Sequence, residues 1–107
     1  MNLVLSIKQE NLDEILSGAK TVEYRDYTDF YISRLCVLNK KDEFKSWKPI
    51  ETVTFRVGRK KDSPTFTFKV KRLAFEEWLD EKTGAPLDEY TFAIYLGQRV
   101  DNVVEAA

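Results

Sequence analysis

Two segments of alternating apolar and polar residues, joined by a short turn region, constrain the fold of this chain more than any other feature. Their apolar positions are Val53, Phe55 and Val57 in residues 52–58, and Phe66, Phe68 and Val70 in residues 65–71. Successive side chains of a strand point to opposite faces, so each segment predicts a strand with one buried face. Gly58 and Pro64 in the connecting stretch favour a turn. We therefore predict that the two segments pair antiparallel.

Shorter patterns predict further strands and a few short helices. Apolar residues at helical spacing predict a helix over residues 9–17, which Gly18 would end. The spacing of Phe75, Trp78 and Leu79 predicts another helix, broken at residues 84–86. Alternating residues predict strands at residues 3–7, at residues 21–25 and at residues 90–97.

Residues 28–50 allow more than one interpretation. Thr28 or Asp29 can cap a helix that carries Tyr31, Leu35 and Leu38 on one face. A strand over residues 35–38 is the competing interpretation. Residues 39–50 are polar and rich in lysine, which predicts a connector anchored by Phe44 and Trp47.

The length of 107 residues fits one domain over residues 1–107. The predicted strands outnumber the predicted helices, which indicates an α+β, predominantly β fold. We expect a small barrel or curled sheet of five to six strands, mixed or antiparallel, with two or three short helices at its ends. The tail after about residue 98 is expected to be frayed.

Several residue types are missing or rare, and this narrows the chemistry. The chain has no His and a single cysteine, Cys36. A Ser-His-Asp triad, an intrachain disulfide and a multi-cysteine zinc site are therefore excluded, and we expect no metal and no cofactor. Cys36 lies in an apolar run, where a thiol packs as a small hydrophobic group.

No segment of the chain has the pattern of a targeting signal or a membrane span. The apolar run at residues 3–7 is too short for a signal peptide. No run approaches the roughly 20 apolar residues of a membrane helix. We expect a cytoplasmic protein with no membrane partner.

The charge is unevenly distributed along the chain. The net charge is −1, yet residues 34–72 carry twelve basic and only four acidic side chains. Folded into one face, such a segment would attract phosphates. The alternative is an ordinary solvated set of lysines balanced by the acidic ends of the chain.

Residues 18–25 contain the motif G-x-K-x-x-E-x-R, formed by Gly18, Lys20, Glu23 and Arg25. After a predicted strand and short helix, this motif resembles the signature of the ASCH family, a branch of the PUA-like superfamily. Flanking segments resemble the family too: Leu5-Ser6-Ile7-Lys8, Ile15-Leu16-Ser17-Gly18 and Ile94-Tyr95-Leu96-Gly97. The middle of the chain resembles a short, often phage-borne type of ASCH domain, in Phe55-Arg56-Val57-Gly58 and Ser63-Pro64.

The resemblance implies a PUA-like β-barrel with a cleft lined by Lys20, Glu23 and Arg25. Members of the family are thought to bind RNA, and some small ones hydrolyse the amide of acetylated cytidine. In those hydrolases the motif lysine works with a threonine three residues later and with an acid from a downstream helix. Here Glu23 occupies the threonine position, with Thr21 nearby, which argues against hydrolase activity. The candidates for the downstream acid are Glu76, Glu77 and Glu81.

Three functions remain open from the sequence. The first is an RNA- or nucleotide-binding module, whose ligand residues would be Lys20, Glu23, Arg25, Arg56, Arg59 and Lys60. The second is a small amidohydrolase or nuclease, with Lys20 and Glu23 as catalytic residues. The third is a protein-interaction module. Against all three stands the possibility that the Glu23–Arg25 pair is only a surface salt bridge, worth about 0–1 kcal/mol.

Overall fold

The computed structural model of the protein describes residues 1–58 and 60–100. These residues form seven strands and two short helices. In chain order they are β1 (Asn2–Ile7), α1 (Gln9–Leu16), β2 (Val22–Asp26), α2 (Asp29–Leu35), β3 (Cys36–Leu38), β4 (Phe44–Trp47), β5 (Thr52–Val57), β6 (Thr65–Leu79) and β7 (Pro86–Arg99). The predicted frayed tail lies mostly outside the described residues, and β7 itself continues to Arg99.

Five strands form one mixed sheet in the order β1-β5-β6-β7-β2, and β3 pairs with β4 in a small separate sheet. β1 runs parallel to β5, whereas the other neighbouring strands in both sheets are antiparallel. The predicted hairpin is confirmed, with Val53 opposite Phe68 and Phe55 opposite Phe66. The fold is mostly β with two short helices, as predicted. It is not a closed barrel, because no backbone ladder in the described residues joins β1 to β2.

The core lies between the inner face of the large sheet and the two helices. Alternate residues of β1 and β5 face inward, and Val53 and Phe55 are fully buried. From the helices, Leu12 and Leu35 fill the space above the sheet. Cys36 is buried beside them, and burial raises the pKa of its thiol. Its packing role is confirmed.

The helix predicted around residues 75–79 is wrong, because this segment continues strand β6. Its backbone pairs with β7, with Phe75 opposite Phe92 and Glu77 opposite Tyr90. None of the three residues at helical spacing is buried: Phe75 is 39%, Trp78 51% and Leu79 52% exposed. Pairing with a neighbouring strand here outweighs the local spacing.

Residues 28–50 combine the two interpretations that the sequence left open. Thr28 caps α2, accepting a hydrogen bond from the Tyr31 N–H at 3.4 Å. The chain then passes directly into β3. The expected connector contains a short strand, β4, which pairs with β3.

The carboxylate of Asp80 holds the turn between β6 and β7 through two hydrogen bonds from the backbone. The Asp80 Oδ1 accepts from the Thr83 N–H at 2.9 Å and from the Lys82 N–H at 2.8 Å. These two bonds lower the pKa of Asp80 from its ordinary 3.8. Asp80→Ala should therefore lower the urea midpoint at neutral pH.

The pH dependence of this effect follows from the lowered pKa. The carboxylate contributes its stability above pH 3.8 and loses it as the pH falls through the depressed folded value. The difference between wild type and Asp80→Ala should thus shrink in acid. Glu81→Ala, in the same turn, is the matched control. Equal effects of the two substitutions at neutral pH would contradict this role of Asp80.

Candidate functional site

The end of helix α1 places Lys20 at the entrance to strand β2. Gly18 adopts a positive φ of 84°, a conformation that costs glycine little. Its N–H donates to the Ile15 carbonyl at 3.1 Å, and the Lys20 N–H donates to the Glu14 carbonyl at 3.0 Å. These bonds end the helix and fix the backbone of Lys20 before the strand begins.

Strand β2 directs the other two charged motif residues inward. Glu23 and Arg25 are two positions apart, so their side chains share one face of the strand. Glu23 is only 3% exposed, whereas Tyr24 between them is 44% exposed. The inner face of this strand therefore carries the ionic pair. A surface salt bridge does not describe it.

One carboxylate bridges both cations of the motif. The Glu23 Oε1 lies 2.7 Å from the Lys20 Nζ. The Glu23 Oε2 accepts from the Arg25 Nη2 at 2.7 Å and from the Arg25 Nε at 3.0 Å. A buried charge is costly unless it is paired and hydrogen-bonded, and here both oxygens of Glu23 are engaged.

Arg25 also spans the gap between the two edge strands of the sheet. Its Nη2 donates to the Ser6 carbonyl on β1 at 3.0 Å, and its Nη1 donates to the Tyr31 hydroxyl on α2 at 2.8 Å. With the two bonds to Glu23, four of its five N–H groups are used. Arg25 thus connects β1, β2 and α2. We call the gap between the edge strands β1 and β2 the seam of the sheet.

The three motif side chains meet at one open cleft of about 600 Å³. Seven further residues line it: Ser6, Ile7, Lys8, Asn11, Tyr24, Asp26 and Gly58. The side chain of Lys20 is 24% exposed, compared with 13% for Arg25 and 4% for Glu23. Lys20 is therefore the motif residue that a ligand in this cleft can reach most easily. Its functional role remains a prediction.

The predicted basic residues of the hairpin do not line this cleft. Arg56 stands opposite Ser6 and Thr65, and its strand neighbour Phe55 points into the core, so Arg56 lies on the outer face. Its Nε is buried and has no hydrogen-bond acceptor among the described residues. Lys60 is exposed in the loop after Gly58. Arg59 lies outside the described residues.

Three cations of the basic middle third of the sequence make contacts in separate parts of the fold. Arg34 lies over the Phe30 ring at 4.0 Å, and Arg72 lies over the Tyr95 ring at 3.8 Å. The Lys48 Nζ donates to the carbonyl of Ser33 on α2. These three side chains contact aromatic rings or a backbone carbonyl of the protein itself.

None of the three candidate acids lines the motif cleft. The Tyr95 hydroxyl donates to Glu76, and this bond raises the pKa of Tyr95. Glu76 and Glu77 line a different cavity beside Trp78, and Glu81 lies in the β6–β7 turn. The segment expected to be a helix carrying the acid is the end of strand β6 and the turn after it.

The sequence patterns do not predict two residues that line the cleft, Lys8 and Asn11, or Tyr31, which contacts Arg25. Its spacing predicts that Tyr31 lies on the apolar face of α2, whereas its hydroxyl accepts a hydrogen bond from Arg25. Lys8 and Asn11 lie at the start of α1 and face the cleft opposite β2. A signal for Tyr31 was available, because a partly buried tyrosine hydroxyl needs a hydrogen-bond partner.

Fold and site together define a small, mostly β domain with a charged cleft at the seam of its sheet. Comparison with protein families gives a match to the ASCH domain over residues 5–103, nearly the whole chain. The chain belongs to the ASCH domain family. No curated protein and no solved structure matches it. Neither described helix has the length and apolarity for crossing a membrane.

Proposed function

We propose that this ASCH domain binds single-stranded RNA and that Lys20 contacts a phosphate in the motif cleft. The observation that carries the proposal is the bridging of Lys20 and Arg25 by the buried carboxylate of Glu23. An ammonium has three N–H donors, and the ion pair with Glu23 leaves donors for a phosphate oxygen. Lys8 lines the same cleft and adds a second positive charge.

In this proposal Glu23 and Arg25 are positioning residues. Both oxygens of Glu23 are already engaged, so it is poorly placed to accept a hydrogen bond from a base. Arg25 has one N–H left and cannot offer the two-pronged fork that reads a base edge or grips a phosphate. Together they hold Lys20 in place before the ligand arrives.

The outer face of the hairpin supplies a second set of phosphate contacts in this proposal. Arg56 and Lys69 lie on β5 and β6 among threonines, and the Thr54 and Thr67 hydroxyls are 2.7 Å apart. Arg56 is only partly buried, so its guanidinium adds positive charge to this face. Lys60, in the adjacent loop, would extend this contact along the backbone. These contacts would add affinity without sequence preference.

The test is a titration of fluorescent single-stranded RNA with the wild type and matched lysine variants. Lys20→Met should weaken binding by about tenfold, the worth of one charge-assisted contact. Lys82→Met, in the β6–β7 turn away from the cleft, is the control and should bind as the wild type does. Lys60→Ala should weaken all sequences alike and flatten the salt dependence by roughly 0.7 log units per decade.

Two results would contradict the proposal. The first is an absence of RNA binding at low salt, where electrostatic attraction is least screened. The second is an equal effect of Lys20→Met and Lys82→Met. Turnover of acetylated cytidine that is lost in Lys20→Met would replace the binding function by the hydrolase function.

A further inference from the structure

A second cavity, of about 290 Å³, lies beside helix α2 and has aromatic walls. We call it the aromatic cavity, and its walls are Tyr27, Phe44 and Phe75. The Phe44 and Phe75 rings meet at 84° with centroids 5.1 Å apart, and the Tyr27 and Phe75 rings meet at 69° and 6.0 Å. Because the rings are steeply inclined to one another, they enclose a corner. They do not form a flat stack.

The walls of the aromatic cavity come from three separate parts of the fold. Tyr27 follows β2, Phe44 begins β4 and Phe75 lies within β6. Phe75 is held from behind by Trp47, at 4.6 Å and 34°, and by Phe92, at 5.3 Å and 39°. The corner is therefore formed in the free protein, which reduces the ordering cost of binding.

The charge of the aromatic cavity is opposite to that expected for a phosphate site. Asp29 and Asp42 line it, and no Lys or Arg is among its described lining residues. Neither carboxylate forms an ion pair within residues 1–58 and 60–100. Tyr27, Phe44 and Phe75 are each between 39% and 51% exposed, so the aromatic surface is accessible.

Aromatic faces and unpaired carboxylates recognise one chemical class well, namely an alkylated cation. The negative face of a ring attracts a cation, and a methylated ammonium loses little hydration when it enters an apolar corner. The carboxylates add attraction at longer range without needing a hydrogen-bond donor. We propose that the aromatic cavity is a second binding site, for a methylated ammonium group, distinct from the motif cleft.

The test compares choline with 3,3-dimethyl-1-butanol, in which a neutral carbon replaces the charged nitrogen. Amide chemical shifts of the 15N-labelled protein report where each compound binds. Choline should shift the amides of Tyr27, Phe44 and Phe75, and it should bind at least about fivefold more tightly than the neutral analogue. Equal affinities of the two compounds would overturn the proposal, as would an absence of shifts at these residues with choline.

Two variants distinguish the contribution of the two carboxylates from that of the aromatic walls. The double variant Asp29→Asn with Asp42→Asn keeps the size of both side chains, and asparagine tolerates the positive φ of 62° at position 42. It should lose the preference for choline over the neutral analogue. Phe44→Leu should weaken choline binding while leaving the fold intact, as judged by the remaining amide shifts. Wild-type choline affinity in both variants would overturn the proposal.

Two further arms identify the source of the group and separate this proposal from RNA binding. Free Nε-trimethyl-lysine is titrated beside choline, and the tighter of the two indicates a protein side chain or a small metabolite as the natural source. Lys20→Met should leave choline binding unchanged, because Lys20 lines the motif cleft. Failure of RNA binding would leave the choline result standing, and the converse also holds.

Discussion

Replacing Glu23 by Ala is expected to destabilise the domain by about 3–5 kcal/mol, the cost of breaking a buried ion pair. Glu23 is 3% exposed and pairs with both Lys20 and Arg25. Its removal leaves the largely buried guanidinium of Arg25 without a counter-charge. Urea unfolding at neutral pH measures the loss.

Glu14→Ala is the matched control for this prediction. Glu14 is exposed on α1, and its carbonyl, which the substitution keeps, receives the bond from Lys20. We expect a change within about 0.5 kcal/mol. The pair Glu23→Leu with Arg25→Met should be less damaging than Glu23→Ala, because it removes the more buried Arg25 charge and leaves unpaired only Lys20, which is more exposed. A Glu23→Ala variant as stable as Glu14→Ala would contradict the bridging role.

The other large effect is expected from Phe92→Ala, at about 3–5 kcal/mol. Phe92 is fully buried, and its ring contacts those of Tyr27, Trp47 and Phe75. Truncation leaves a void that the long β6–β7 hairpin cannot collapse around. Thermal and urea unfolding should agree on the loss, and near-ultraviolet circular dichroism should show looser aromatic packing.

Phe30→Ala provides the comparison for Phe92. Phe30 is 50% exposed on α2, where its ring contacts Arg34 and Tyr31. Its truncation should cost less than half as much as that of Phe92, because half of its surface already meets water. Similar losses for the two variants would show that Phe92 does not occupy the rigid centre of the aromatic cluster.

The parts of the fold that follow from local pattern could be predicted from the sequence. The hairpin of β5 and β6 carries strict alternation on both strands, so one register turns all its apolar residues to the same face of the sheet. Helix α1 has a clear stop at Gly18, and the structure ends it at Leu16. In both cases the spacing of side chains and the buried face agree.

The segment around Phe75 and Trp78 was beyond such reasoning, because its aromatic spacing fits a helix and only the partner strand decides otherwise. In the cleft, too, some contacts follow from the local sequence and others depend on the folded sheet. The motif predicted that Lys20, Glu23 and Arg25 belong together. It did not predict that Arg25 would reach the Ser6 carbonyl, 19 positions earlier in the chain, because that contact depends on how the sheet curls.

The Arg25 side chain, and not a backbone ladder, connects the edge strands β1 and β2 in the described residues. A complete barrel resists opening with a whole row of backbone hydrogen bonds, whereas in the described part of the chain β1 and β2 are joined by the hydrogen bond from the Arg25 side chain to the Ser6 carbonyl. If the hydrogen bond between Arg25 and Ser6 breaks, the edge strands β1 and β2 can separate without the loss of any backbone pairing between strands. Glu23 pairs with both Arg25 and Lys20, so a change at Lys20 acts on the carboxylate that also holds Arg25. If the proposed ligand binds at Lys20, its binding and the separation of β1 from β2 would be thermodynamically linked, and each would change the equilibrium of the other.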